Sequence, residues 1–379
     1  MLFLLHQLTK RRRVVPLFLR GIVDKVRPGT LMIRSRALNA VGTRTLRFKS
    51  FPCQSLSAST QCIVDDNIGL TAPRTGQSLP TLVHSALSGG CMEYARGWAW
   101  QSYLLNQRLA KRRNAHQDQE FSQETNDCDT VLLFEHAPVY TLGRGADENH
   151  LVFLQQENSE CEAKSKLARR NRGPGSARLS MDRSVLNEQH LQNCHVNDAR
   201  EAIHALSQTA SPVLAPNGVP VYRVERGGEV TFHGPGQLVV YPLIDLTREP
   251  FQQDLHWFLR KVEEVVIQTL QAYGIDGVRD EMNTGVWVDH RKVCAVGLSS
   301  SRWITTHGFA LNICPDLTYF DTSIILPCGI DGRGVTSIAQ ILMERGETKL
   351  PSVKDVGTEV LAKLQSVFEI HLEPGADII

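Results

Sequence analysis

The stretch Val219-Pro220-Val221-Tyr222-Arg223-Val224-Glu225-Arg226-Gly227-Gly228-Glu229-Val230-Thr231-Phe232-His233-Gly234-Pro235-Gly236-Gln237 packs three chemical signals into nineteen residues. Val219 to Val224 and Val230 to Phe232 are β-branched and aromatic runs, and a third such run, Gln237 to Leu246, follows directly. The glycines between them mark turns, so short strands are expected here. Glycines on both sides of a short strand also let backbone approach a ligand and leave N–H groups free to bind it. Arg226, Thr231 and His233 could orient a carbonyl or thioester there. A Gly-rich hairpin with solvated ends would explain Gly-Gly or Gly-Pro-Gly alone, but the whole string is far more specific.

Downstream of this stretch, Leu255, Phe258, Leu259, Val262, Val265, Val266 and Leu270 recur at steps of three and four before Gly274. That spacing predicts a helix over 254–273. Gly285 to Val288 and Arg291 to Leu298 read as a hairpin turning at Asp289-His290, with a further strand from Thr306 to Ile313. A last helix is expected to start at Ser352, with Asp355 three residues on as a capping signal, burying Val356, Val360, Leu364 and Phe368. Upstream, Trp98, Leu104, Leu105 and Leu109 space a helix over 94–109, with Lys111, Arg112 and Arg113 favourably placed at its end. Val131 to Glu135 and Val139 to Thr141 are short strands either side of Ala137-Pro138. Strands and helices in mixed order define an α+β class, a mixed β-sheet flanked by helices.

Two regions stand outside this pattern. Between residues 1 and 60 the only acid is Asp24, against a run of basic residues from Lys10-Arg11-Arg12-Arg13 to Lys49. An Arg-rich, Ser-containing, acid-poor start has the composition of an organellar transit peptide. A disordered basic arm is the plainer alternative. Residues 1–85 are therefore set aside as transit peptide and arm, and 86–375 as the folded domain. The mitochondrion is the first expectation for the compartment, with a plastid-type organelle as the other. Residues 154–212, with Lys164, Lys166, Arg169, Arg170, Arg172 and Gly173-Pro174-Gly175 in polar sequence, read as a largely disordered insertion.

Composition narrows the partners. The chain has 379 residues and is 42% hydrophobic, enough for a full core, with a formal charge of +1 from 41 basic and 40 acidic residues. That balance gives no reason to expect nucleic acid as a partner. No apolar run reaches the roughly 18–20 residues that span a bilayer, so no membrane span is expected. Nine cysteines, an odd number with no Cys-x-x-Cys pair, argue against a disulfide framework or a zinc knuckle. No metal is expected.

Three further segments exceed what a core requires. Arg291-Lys292 leads into Val293-Cys294-Ala295-Val296-Gly297-Leu298, so Lys292 opens a strand. A strand-borne lysine facing a pocket is partly desolvated, which lowers its pKa and lets it serve as a base. Isolated lysines at hairpin ends are, however, usually just solvated. In Thr306-His307-Gly308-Phe309-Ala310-Leu311-Asn312, small Gly308 and Ala310 alternate with bulky neighbours and leave room for a narrow apolar ligand. In Leu326-Pro327-Cys328-Gly329-Ile330, a cysteine between Pro and Gly sits on a constrained turn that presents its sulfur. A nearby cation such as Lys292 would favour the attacking thiolate. Cys294 and Cys314 are expected to be packing residues in a strand or loop.

Taken together and in this order, these segments resemble the octanoyltransferases of lipoate synthesis, the octanoyl-acyl carrier protein:protein N-octanoyltransferase family. The matching pieces are Glu135-His136-Ala137-Pro138-Val139-Tyr140-Thr141-Leu142-Gly143, the Arg226 to Gln237 string with Tyr241-Pro242, Arg291-Lys292, His307-Gly308 and Pro327-Cys328-Gly329. They span roughly residues 90 to 370. The resemblance implies the fold of the biotin and lipoate protein ligases. It implies that Cys328 is the nucleophile that takes octanoate from a carrier thioester, and that Lys292 lowers the thiol pKa and handles protons. It assigns the acyl site to Arg226, Gly227, Gly228, Glu229, Val230, Thr231, Phe232, His233, Ala295, Val296, Gly297, Gly308, Phe309 and Ala310. It implies acyl carrier protein as donor, and as acceptors lipoyl-domain proteins such as the E2 subunits of 2-oxoacid dehydrogenases and the glycine cleavage H protein. No cofactor is implied, because the carrier's octanoyl-phosphopantetheine is a substrate. One departure is that Gly297-Leu298 is followed by Ser299-Ser300-Ser301 before Arg302, where the family often has an earlier arginine.

The alternatives are an ATP-using lipoate or biotin ligase of the same fold, in which Cys328 would be a spectator, and a silent binding protein, against which the pairing of Lys292 with Cys328 argues. A cysteine peptidase is weaker still, since no His and Asn or Asp pattern accompanies Cys328.

Overall fold

The computed structural model describes residues 80–115, 128–153, 177–178, 196–210, 212–326 and 333–375. The segment read as a transit peptide, most of the 154–212 insertion and Pro327-Cys328-Gly329 lie outside the described residues.

The core is an eight-stranded sheet in the order β13-β1-β2-β8-β12-β11-β10-β9. In chain order these strands are β1 (Thr81–Ser85), β2 (Thr130–Phe134), β8 (Gln237–Leu243), β9 (Val278–Arg279), β10 (Val286–Val288), β11 (Arg291–Ser301), β12 (Ile304–Asn312) and β13 (Leu372–Pro374). β1 runs parallel to both β2 and β13, while every other neighbouring pair is antiparallel. The sheet is mixed, as its class required. β3 (Val139–Leu142), β4 (Ala177–Arg178), β5 (Val213–Leu214), β6 (Pro220–Arg223) and β7 (Thr231–His233) form a second, smaller sheet.

Both faces of the large sheet are covered, which is why β2 and β8 read as nearly continuous apolar runs rather than alternating ones. On one face Val131, Leu133, Leu238 and Val240 pack against Phe258, Val262, Val265 and Val266 of helix α3 (Leu255–Gln271) and Val356, Val360 and Leu364 of helix α5 (Val353–Phe368). On the other, Leu132, Phe134, Val239 and Tyr241 meet Trp98, Ala99 and Tyr103 of helix α1 (Tyr94–Ala115) and Ala199, Ala202, Ile203 and Leu206 of helix α2 (Val196–Ser207). A third cluster, including Tyr140, Val221, Val230 and Phe232, fills the small sheet.

Local chemistry sets the element ends. Asp254 caps α3 by accepting from His256 N and Trp257 N, and Ser352 with Asp355 forms the expected capping box on α5. Asp289 and His290 adopt φ of 47° and 63°, the left-handed pair that a two-residue hairpin needs, so β10 and β11 turn where expected. Arg302 and Trp303 repeat the device between β11 and β12.

Several expectations require correction. β1 lies inside the region set aside with the transit segment, and its parallel pairing with β2 makes it part of the catalytic sheet. α2 lies inside the expected disordered insertion; Ala199, Ala202, Ile203 and Leu206 give it a buried stripe that the surrounding charged residues hid. β2 and β3 do form either side of Ala137-Pro138 as expected, and they belong to different sheets, since proline supplies no donor to continue a ladder. Helix α4 (Ile338–Glu344) was not foreseen. Cys294 is fully buried in the core as expected, but Cys314 is exposed.

Candidate active site

A cavity of about 320 Å³ opens between the strands of the large sheet and the loop after β6. Its walls come from Tyr94 on α1, Arg226, Gly228 and Glu229 on that loop, Thr231 and His233 on β7, and Val239 and Tyr241 on β8. Lys292, Ala295, Val296 and Gly297 on β11, His307, Gly308, Phe309 and Ala310 on β12, and Met282, Asn283 and Thr284 complete them. Small side chains at Ala295, Gly297, Gly308 and Ala310 hollow the floor as the alternation in β12 predicted. Gly308 also lets β12 lie close to β8, because a Cβ there would fall 2.0 Å from the Val240 carbonyl oxygen.

Gly227, Val230 and Phe232 do not line the cavity, although the resemblance placed them in the acyl site. Side chains alternate along β7, so with Thr231 and His233 facing the cavity, Val230 and Phe232 face the small-sheet core. There Phe232 stacks on Tyr319 with ring centroids 4.4 Å apart. Gly227 is a backbone tie, its N–H donating to Leu298 O at 3.0 Å.

Lys292 reaches the cavity through a break in strand register. Val286 pairs with Cys294 but the next residue, Trp287, pairs with Lys292, so Val293 is an extra residue in β11. Val293 and Cys294 consequently both enter the main core, with Val296 and Leu298 following in step. The bulge turns Lys292 onto the opposite face, shared with Ala295 and Gly297; without it the lysine would share the core-facing side with Cys294. Lys292 is only 7% exposed, and its Nζ lies 4.7 Å from the centroid of the Trp287 ring.

Cys328 lies outside the described residues, but both flanks of its segment are held beside this cavity. On one side Leu326 N donates to His150 O at 2.9 Å, while His150 Nδ1 bonds Glu229 on the cavity wall, also at 2.9 Å. On the other side Lys292 N donates to Gly334 O, and Thr336 N to Lys292 O, both at 3.0 Å. Cys294 cannot substitute as a nucleophile. Burial pushes its thiol far up, and the opposing influence of Lys292 is smaller.

Beneath the cavity run two buried hydrogen-bond chains. In the first, Arg226 donates to Thr141 O at 2.7 Å and Thr141 Oγ1 at 2.9 Å, and Thr141 Oγ1 lies 3.2 Å from His233 Nε2. Gln237 donates its amide to Phe232 O and Asn312 Oδ1, so its Oε1, 2.7 Å from His233 Nδ1, must accept. His233 is therefore neutral, protonated at Nδ1, with Thr141 donating to Nε2. The chain continues from Asn312 Nδ2 to Thr336 O, which brings it to the backbone beside Lys292. In the second, His136 Nδ1 must donate to Met92 O, leaving Nε2 to accept from Tyr241, which in turn is hydrogen-bonded to Tyr94. Thr141 lies within the Glu135 to Gly143 piece of the resemblance, but nothing singled out Tyr94 or Met282 as site residues, since ordinary core and loop residues look the same.

Burial holds both imidazoles neutral, His136 down to about 4 and His233 down to about 3, the latter helped by His136 and Arg226. Below about pH 6.5 the unfolded chain protonates these rings while the native state resists, so the unfolded state binds more protons and stability falls as pH drops toward the folded values. Melting curves between about pH 7.5 and pH 5 should show a steeper loss in the native protein than in His233→Gln; parallel losses would contradict this assignment.

No group of three or more His, Cys, Asp or Glu side chains among the described residues could hold a metal ion, and no described helix is long and apolar enough to cross a membrane. A fold of two mixed sheets with a lysine brought into an apolar-floored cavity defines a protein class that comparison with known proteins identifies. The family model for the lipoyl protein ligase A/B catalytic domain matches residues 201–365. An octanoyltransferase of Gloeobacter violaceus is 35% identical over 287 residues, 76% of this chain and 91% of that protein. A chloroplastic octanoyltransferase of Arabidopsis thaliana is 36% identical, covering 74% of this chain and 76% of the relative. Among solved structures, a lipoate-protein ligase A bound with ATP aligns at 11% identity and a TM-score of 0.45, over 78% of this chain and 87% of that one. The chain belongs to the octanoyltransferase family and is an acyltransferase.

Proposed function

We propose that this enzyme transfers an octanoyl group from octanoyl-acyl carrier protein to a lysine of lipoyl domains, through a thioester on Cys328. The supporting observation is that Lys292 lines the cavity while its own backbone is hydrogen-bonded to Gly334 and Thr336, just past the cysteine segment. In the first half-reaction Lys292 takes the Cys328 proton and the sulfur attacks the donor carbonyl. The bond from that carbonyl to the pantetheine sulfur then breaks, and the departing thiolate recovers the proton. In the second, the acceptor lysine's amine attacks the acyl-enzyme, the carbon to Cys328 bond breaks, and the amine's proton returns to the cysteine sulfur through Lys292. The donor is already activated and the amide product is more stable than either thioester, so no ATP or other cofactor is consumed. The apolar floor at Ala295, Gly297, Gly308 and Ala310 accommodates the alkyl tail.

Acceptors are the lipoyl domains of E2 subunits and the glycine cleavage H protein. The Arg-rich, acid-poor first 60 residues direct import into an organelle, and the chloroplastic relative in Arabidopsis favours a plastid over the mitochondrion that composition alone put first. The test is transfer to a purified lipoyl domain from octanoyl-acyl carrier protein without ATP, beside free octanoate with ATP. Product in the first reaction alone is expected; product only in the second would replace this reading with the ligase one.

A further inference from the structure

We infer that Trp287 is a positioning residue that fixes the Lys292 side chain in the place from which it acts on Cys328; the inference rests on the proposed roles of those two residues. Trp287 sits directly across from Lys292 in the β10–β11 ladder. The bulge at Val293 rotates the lysine to the side on which the indole lies, and Nζ comes to rest 4.7 Å from the ring centroid. The ring itself is held, being 3% exposed. Gly285 gives the lysine stem its room: a Cβ there would be 3.5 Å from Lys292 Cε and 2.4 Å from the Cys294 carbonyl oxygen.

A second cation uses the same indole. The Arg333 guanidinium carbon lies 5.4 Å from the Trp287 centroid, and Arg333 also pairs with Asp280. Asp280 Oδ1 accepts from Met282 N at 3.0 Å and Asn283 N at 2.9 Å, which shapes the loop that walls the cavity. Trp287 is thus the common reference for the lysine, for the chain five residues past Cys328, and through Arg333 for the Met282 wall.

The face of an indole carries negative electrostatic potential and stabilises a cation resting on it, most strongly where water is excluded. The ring therefore stabilises the ammonium that forms when Lys292 takes the Cys328 proton, and with it the cysteine thiolate left behind. Loss of the ring should weaken the thiolate while leaving the cavity and the cysteine in place.

The experiment measures the pH dependence of iodoacetamide alkylation at Cys328, by peptide mass spectrometry on the folded full chain, for the native protein, Lys292→Met, Trp287→Leu and protein containing fluorinated tryptophans. Fluorination drains the ring face without changing its shape, so this arm reports even where Trp287→Leu does not fold. Among the described residues, Trp257 on α3 is the other indole with a cation over its ring, Lys261 at 5.8 Å. Lys292→Met should raise the alkylation midpoint, Trp287→Leu should raise it by about one pH unit, and fluorination should raise it progressively. A midpoint that moves in Lys292→Met but stays at the native value in folded Trp287→Leu and through the fluorinated series overturns the role of Trp287 alone. A midpoint unmoved by Lys292→Met overturns the pairing of Lys292 with Cys328 instead.

Discussion

Cys328→Ser should lower turnover with octanoyl-acyl carrier protein by on the order of 10,000-fold while leaving the melting curve unchanged. The size follows from what the residue is asked to do. A covalent route divides acyl transfer into two displacements, and removing the atom that carries the intermediate removes both, with only binding and orientation left. Serine keeps the shape but holds its proton far more tightly than a thiol, so the same lysine cannot ready it for attack. Neither Cys294, sealed in the core with its thiol pushed up by burial, nor exposed Cys314 can rescue the reaction. Residual activity near the native level in a folded Cys328→Ser protein would mean direct transfer without an acyl-enzyme.

Lys292→Met should cost about 100- to 10,000-fold in kcat, the usual range for a positioned proton-transfer group, with a much smaller change in KM. Methionine keeps the unbranched stem that crosses Gly285 and lies against Trp287 but removes the amine, so packing is nearly conserved. The defect should appear in both half-reactions, because the same amine serves the cysteine proton in one and the acceptor proton in the other. Single-turnover acylation and deacylation, measured separately, check this. A defect confined to KM would make Lys292 a docking residue for the donor.

Much of the architecture could be read from side-chain spacing. Helix α3 declared itself through apolar residues at steps of three and four, α5 through Ser352 and Asp355, and the β10–β11 turn through the short polar pair Asp289-His290. Each of these is local, and local chemistry decided it. What escaped depended on distant partners. β1 is an ordinary short run until β2 and β13 pair with it on either side. α2 hides a four-residue stripe among charges, and that stripe has meaning only once α1 is beside it.

The same division holds at the site. Arg226, Thr231, His233, Gly308 and Ala310 were legible because glycine and small residues around reactive ones have few core explanations. Val230 and Phe232 were misplaced because a motif was taken as a block, whereas a strand shows only every second residue to one side. Lys292 reached the right face by a route no spacing rule reveals, an extra residue in β11 that breaks the period. Tyr94 joined through α1, more than a hundred residues from the string that marks the cavity.

The most direct measurement is peptide-level mass spectrometry of the purified full chain after brief exposure to octanoyl-acyl carrier protein, with no ATP and no acceptor. One octanoyl group should appear, confined to the peptide containing Cys328, and it should vanish when a lipoyl domain is added. A chain that stays unmodified while product still forms, or an acyl group found on any other residue, would contradict the account.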